Sequence, residues 1–212
     1  MNKNEKFVIT INRELGSGGR TVGRMLAEKL GVPYYDKALI QELVKKYNLS
    51  VDEIERMKGE GNSWWADFKR VMGIGHTLQP SMYINKEGDE PEMLTTEAIY
   101  KTEKEILQAM ASDESCVIAG RSGFFVLKKH PNRLSILIQA SMQHRLERVM
   151  RKKNISEAEA QKIIDKVDKM REEYVSNFAH TSRYDTRNYD LVISMDGKTE
   201  ADAVELIMKF IG

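Results

Sequence analysis

The stretch Phe7-Val8-Ile9-Thr10-Ile11-Asn12-Arg13-Glu14-Leu15-Gly16-Ser17-Gly18-Gly19-Arg20-Thr21-Val22 decides how this chain is read. Phe7 to Ile11 is a short apolar, β-branched run, which predicts a buried strand. Val22, Met25 and Leu26 share one helix face, which predicts a helix directly afterwards. Between them Gly16-Ser17-Gly18-Gly19-Arg20-Thr21 forms a glycine-rich turn. Glycine permits positive φ and lets the backbone approach an anion closely. Successive amides then point inward, and the helix N-terminus adds partial positive charge. Strand, glycine turn and helix in that order predict phosphate binding by Gly16, Ser17, Gly18, Gly19, Arg20 and Thr21. Ordinary tight loops also gather glycines, so the context carries the reading.

The usual signature G-x-x-x-x-G-K-[ST] is not met. Gly19 stands at the lysine position and Arg13 at that of the first glycine. Charge stabilisation dominates phosphoryl transfer, which leaves Arg20 or Arg13 to supply it. A redox dinucleotide site is a weak rival, because Thr21 occupies the third glycine position of G-x-G-x-x-G.

Outward from the turn, further strands are expected at Pro33-Tyr34-Tyr35, Cys116 to Ala119, Leu134 to Gln139 and Leu191-Val192-Ile193. Most lack polar alternation, as parallel strands covered on both faces do. Helical patterns lie between them. Met142, Leu146 and Val149 mark one helix, and Val204, Ile207, Met208 and Ile211 another. Ala160, Ile163, Ile164, Val167, Met170 and Tyr174 mark a long one. Ser50 with Glu53 and Ser156 with Glu159 have capping-box spacing. The alternation predicts an α/β fold, a parallel sheet with helices on both faces, in one domain of 212 residues. The irregular segment 59–93, with Trp64 and Trp65, reads either as a substrate cover or as an insertion wrapped on the core.

Lys and Arg total 33 against 32 Asp and Glu, a formal net charge of +1, which argues against a broad nucleic-acid binder. The lone Cys116 lies in an apolar run and reads as a core residue in a reducing compartment. No signal-peptide pattern or transmembrane-length apolar window is seen, so a cytoplasmic protein without membrane partners is expected. The histidines have no metal-ligand spacing, no metal site is predicted from the side chains, and oligomeric state is not readable.

With the turn, Leu30-Gly31-Val32-Pro33-Tyr34-Tyr35-Asp36-Lys37, Val117-Ile118-Ala119-Gly120-Arg121 and the Asp165, Asp168, Arg171 spacing in view, the chain resembles the cytidylate kinase-like family over nearly its full length. A lysine-less glycine turn is itself a feature of that family. The resemblance implies a three-layer P-loop NTPase fold with a five-stranded parallel sheet, plus monophosphate-binding and lid regions, the lid and its flanking helices at about 141–180. It implies transfer of the ATP γ-phosphate, with Mg²⁺, to CMP or dCMP, the partners being small-molecule nucleotides. Asp36, Arg121, Asp168 and Arg171 would hold the acceptor. Arg20, with Arg145, Arg148 and Arg151 from the lid, would stabilise the transferring group. Each has a plainer reading: Asp36 as a helix N-cap, Arg121 as a surface ion pair, the lid arginines as a solvated helix face, and Asp168 and Arg171 as i,i+4-type surface pairs. Arg183 and Arg187 also lie near the last strand, within reach of a donor nucleotide. Two other functions stay open, a nucleotide-binding sensor with little kinase activity and a kinase for another small phosphate acceptor.

Overall fold

The leading apolar run forms β1, Val8–Arg13, two residues longer at its end than the hydrophobic pattern suggests. A computed structural model describes residues 1–36, 40, 50, 54, 97–120 and 122–212. In chain order β1 is followed by α1 (Gly19–Leu30), β2 (Tyr34–Asp36), α2 (Glu97–Asp113), β3 (Cys116–Ala119) and the short α3 (Gly123–Val126). Then come β4 (Arg133–Gln139), α4 (Met142–Lys153), α5 (Glu157–Ala179), a 3₁₀ turn at Thr186–Asn188, β5 (Leu191–Ser194) and α6 (Glu200–Ile211). The Ser50–Glu53 pairing and the segment 59–93 with its tryptophans lie outside the described residues.

The strands form one parallel sheet in the order β2-β3-β1-β4-β5. This is the expected α/β sheet of five strands. Side chains alternate across it, as the pleat requires. Ile9 and Ile11 of β1, Val117 of β3 and Ile136 and Ile138 of β4 pack with Val22 and Leu26 of α1 and Val204 and Ile207 of α6. Val8, Tyr35, Cys116 and Ile118 face the other way, against Ile106, Leu107 and Met110 of α2. Cys116 is fully buried, as its apolar setting predicts. The parallel directions gather the C-terminal strand ends along one edge, where ligands of open α/β sheets bind. Among the described residues, no helix is long and apolar enough to cross a membrane.

Helix starts follow side-chain chemistry. Ser156 and Glu159 make the reciprocal capping box expected for α5, and Thr199 with Asp202 makes another for α6. Ser141 caps α4 by accepting from the His144 amide. Its own amide and hydroxyl donate to Asp196, just past β5, the hydroxyl at 2.6 Å. The Ser141 hydroxyl, then that of Ser194, holds the Asp196 carboxyl down at about 2, below its ordinary 3.8. A lowered folded pKa gives stability that is complete above the free value and lost as pH falls through the folded one. The tie between α4 and β5 therefore weakens between pH 3.8 and about 2. Asp196→Asn is expected to flatten the pH dependence of the urea midpoint in that window. An unchanged slope would show that Asp196 does not link these elements.

Candidate functional site

The loop joining β1 to α1 sits at the sheet edge beside the ends of β3 and β4. Leu15 is its apolar anchor, seated among Leu146, Val149, Ala160, Ile164 and Val167 of α4 and α5. Ser17 is fully buried and its hydroxyl donates to the Glu14 carbonyl at 2.9 Å. Gly16 and Gly18 hold φ of 85° and 83°, the left-handed region that glycine alone enters at little cost. Gly18 is the N-cap of α1 and offers no side-chain cap. Among the described residues, the amides of Gly16, Gly18, Gly19 and Thr21 donate to no protein acceptor. A helix N-terminus in that state is an anion site.

Arg20 is turned sideways from this loop. Its Nε and Nη2 both donate to Oδ2 of Asp36, at 2.9 and 2.7 Å. Asp36 is buried at the end of β2, and the Arg20 side chain is 40% exposed. The pair ties the first turn of α1 to β2. Tyr34, two residues earlier, packs beneath α1 against Gly23. Burial, then the Asp36 charge, pushes its hydroxyl up to about 12, against the lowering effects of Arg13, Arg20 and Arg24. Three cations and a carboxylate therefore act on one buried point beside the loop.

The three regularly spaced arginines of α4 take three different positions. Arg145 is buried under the loop, donating from Nε to the Leu15 carbonyl at 2.8 Å, from Nη1 to Glu14 at 3.3 Å and from Nη2 to Asp168. Arg148 pairs with Glu200 of α6 at 2.5 Å and donates to the Thr21 hydroxyl at 3.3 Å. Arg151 is exposed. Asp168 is 11% exposed and meets four groups, three through hydrogen bonds and Arg171 through a longer ion pair. Besides Arg145, these are the Leu15 amide at 3.1 Å, Arg183 Nη1 at 3.4 Å and Arg171 Nη1 at 3.7 Å. A carboxylate accepts about four hydrogen bonds, so most of the capacity of Asp168 is used within the protein. Neither Asp168 nor Arg171 is the solvated surface group that the charged pattern of α5 allowed. Arg171 also donates to the Arg13 carbonyl at 3.3 Å.

Sequence reasoning left Glu14 and Ser122 out of the site and placed Arg183 only near a donor nucleotide. Glu14 accepts from the Ala140 amide at 3.0 Å as well as from Arg145, joining the loop to the end of β4. Arg183 is fully buried between Asp168 and the Arg13 carbonyl, and its Nε has no acceptor among the described residues. Ser122, in the turn after β3, holds φ 51° with a buried hydroxyl that has no partner among the described residues. A non-glycine residue in that conformation marks local strain of the kind found at functional sites. Arg121, between Gly120 and Ser122, lies outside the described residues. For Arg183 the sequence offered only its nearness to the last strand, and for Glu14 and Ser122 no signal.

Comparison with known proteins agrees with this architecture. The model of the cytidylate kinase-like family matches residues 8–197. A solved structure of an uncharacterized protein from Eubacterium ventriosum is 25% identical with a TM-score of 0.69, covering 97% of this chain and 98% of that one. Shikimate kinase from Bacteroides thetaiotaomicron shares the fold at 13% identity and a TM-score of 0.51, covering 97% and 98%. A uronate isomerase of Corynebacterium glutamicum is 33% identical over 106 residues, which are 50% of this chain and 20% of that enzyme.

Proposed function

The chain belongs to the cytidylate kinase-like family, and from that premise we propose that it transfers the terminal phosphate of ATP to a nucleoside monophosphate, CMP or dCMP first. The observation that carries the reading is the glycine loop at the sheet edge, with amides that meet no protein acceptor among the described residues. The positive φ of Gly16 and Gly18 and the bare N-terminus of α1 fit a polyphosphate chain. Thr21 has a hydroxyl at the same place, suited to a phosphate or to the cation that accompanies it. Mg²⁺, when bound with the nucleotide, neutralises charge on the donor phosphates.

On this reading the amides of Gly16 to Thr21 hold the donor phosphates. An oxygen of the acceptor monophosphate attacks the γ-phosphorus, the bond to ADP breaks, and ADP and a nucleoside diphosphate leave. That oxygen is already anionic, so positioning and charge supply the catalysis and no general base is needed. Asp36 stands on the acceptor side, with Arg20 fixing its carboxylate, and the sequence resemblance assigns Arg121 to the same ligand. Arg148 approaches the loop from α4, and Arg151 is free to swing inward from solvent. Arg145, Asp168 and Arg171 hold the loop from beneath and act as positioning residues.

The test is ADP release from ATP·Mg²⁺ with CMP, dCMP, UMP, AMP and GMP offered in turn. Turnover strongest on CMP or dCMP, and reduced about 100-fold in Arg20→Ala with folding intact, is expected. ATP binding with no turnover on any acceptor would favour a nucleotide sensor or another phosphate acceptor. The engagement of Arg20 with Asp36, where a lysine substitute would be wanted at the donor, is the observation that gives the sensor reading its weight.

A further inference from the structure

We propose that Arg13 does the work of the missing phosphate-loop lysine, holding the terminal phosphate of the donor nucleotide, and that residues 13 and 19 have exchanged roles. The inference rests on ATP being the donor, as above. In the usual signature, glycine stands at position 13 and lysine at 19, whereas here arginine stands at 13 and glycine at 19. The geometry makes the two substitutions interdependent. A Cβ placed on Gly19 would lie 2.6 Å from Arg13 Cβ and 3.1 Å from its Cγ. Arg13 therefore fills the space that a side chain at 19 would enter, and a lysine at 19 is excluded while Arg13 is present.

Beyond that contact the Arg13 side chain runs to the turn after β3. A Cβ on Gly120 would lie 3.4 Å from Arg13 Cζ and 3.7 Å from Nη2. The arginine thus spans from the first residue of α1, where the donor loop ends, to the turn next to Arg121. Its main chain is fixed, because its carbonyl accepts from both Arg171 and Arg183. Its guanidinium donates to no acceptor among the described residues. Arg20, Arg145, Arg148 and Arg183, by contrast, all pair with carboxylates. A partly buried cation without a counter-ion is unfavourable on its own, and an anion arriving between donor loop and acceptor turn offsets that. Five N–H donors in a planar fork suit a phosphate that bridges the two sides.

The experiment measures ATP·Mg²⁺ and ADP·Mg²⁺ affinity by calorimetry, with ligand-free melting temperatures, for wild type, Arg13→Gln, Arg13→Gly, Gly19→Lys and the Arg13→Gly/Gly19→Lys double variant. Arg13→Gln should lose about 10- to 100-fold in ATP affinity with ADP affinity little changed. Its melting temperature should stay level or rise, because no internal ion pair is removed. Gly19→Lys alone should lower both stability and binding, and the double variant should regain the preference for ATP that Arg13→Gly loses. Arg13→Gln retaining the wild-type preference for ATP, or weakening ATP and ADP equally, would overturn the inference while leaving the kinase reading standing. Harmless Gly19→Lys would overturn the exchange of roles. Wild type that binds neither nucleotide would remove both readings.

Discussion

Asp168→Ala is expected to destabilise the protein by about 3–5 kcal/mol, seen as a fall in the urea midpoint at unchanged slope. The carboxylate is 11% exposed, and its partners Arg145 and Arg183 are 7% and 0% exposed. Removing it leaves two buried guanidinium groups without their shared counter-ion, and breaking such a pair from one side is far more harmful than never having it. What remains only partly compensates. Arg145 keeps Glu14 and the Leu15 carbonyl, and Arg183 keeps the Arg13 carbonyl. Asp168→Asn should fall between wild type and alanine, since the amide still accepts a hydrogen bond but has no charge. Nucleotide affinity should fall with stability in both, because the Leu15 amide loses its anchor. A loss below about 1 kcal/mol would place the network among solvent-screened surface pairs and overturn this assignment.

Gly16→Ala should weaken ATP binding by about 100-fold, the scale on which small misplacements near a reacting group are felt. Two effects act together. The residue holds φ 85°, and an added Cβ would lie 2.7 Å from the Arg145 carbonyl oxygen and 2.9 Å from its Cα. Those atoms are helix backbone, which cannot rotate aside, so the loop or α4 has to shift. Gly31→Ala is the control. Gly31 has φ 66° but meets nothing within 4 Å of an added Cβ, so the variant bears backbone strain alone. It should lose about 1 kcal/mol of stability and keep its ATP affinity. Equal losses of binding in the two variants would show that the loop adapts and that its close seat on α4 is unimportant.

The sheet was legible because parallel strands buried on both faces leave unbroken apolar runs. Cys116 to Ala119 was delimited to the residue, and the others to within one or two. The end of β1 was missed because Asn12 and Arg13 are polar and interrupt the apolar run, where the strand reaches the C-terminal edge of the sheet. The arginines of α4 show a second limit. A spacing of three residues falls about 60° short of a full helical turn at each step. Arg145, Arg148 and Arg151 therefore fan from buried to exposed instead of lining one face. Arg183 shows a third. It sits in a polar segment that reads as solvent-exposed, and its burial depends on Asp168 and on a carbonyl of β1, partners that no local pattern encodes.

The distances in sequence spanned by these contacts have a consequence for the growing chain. The glycine motif is complete once Thr21 has been made, yet Leu15 is anchored by a residue 153 positions later and Arg13 by one 170 positions later. At ordinary rates of synthesis that interval is roughly ten to thirty seconds. Throughout it the nascent polypeptide displays the motif without the clamps that give it shape. A ribosome stalled short of Arg183 would hold a product with every phosphate-loop glycine in place and no rigid cradle made from them.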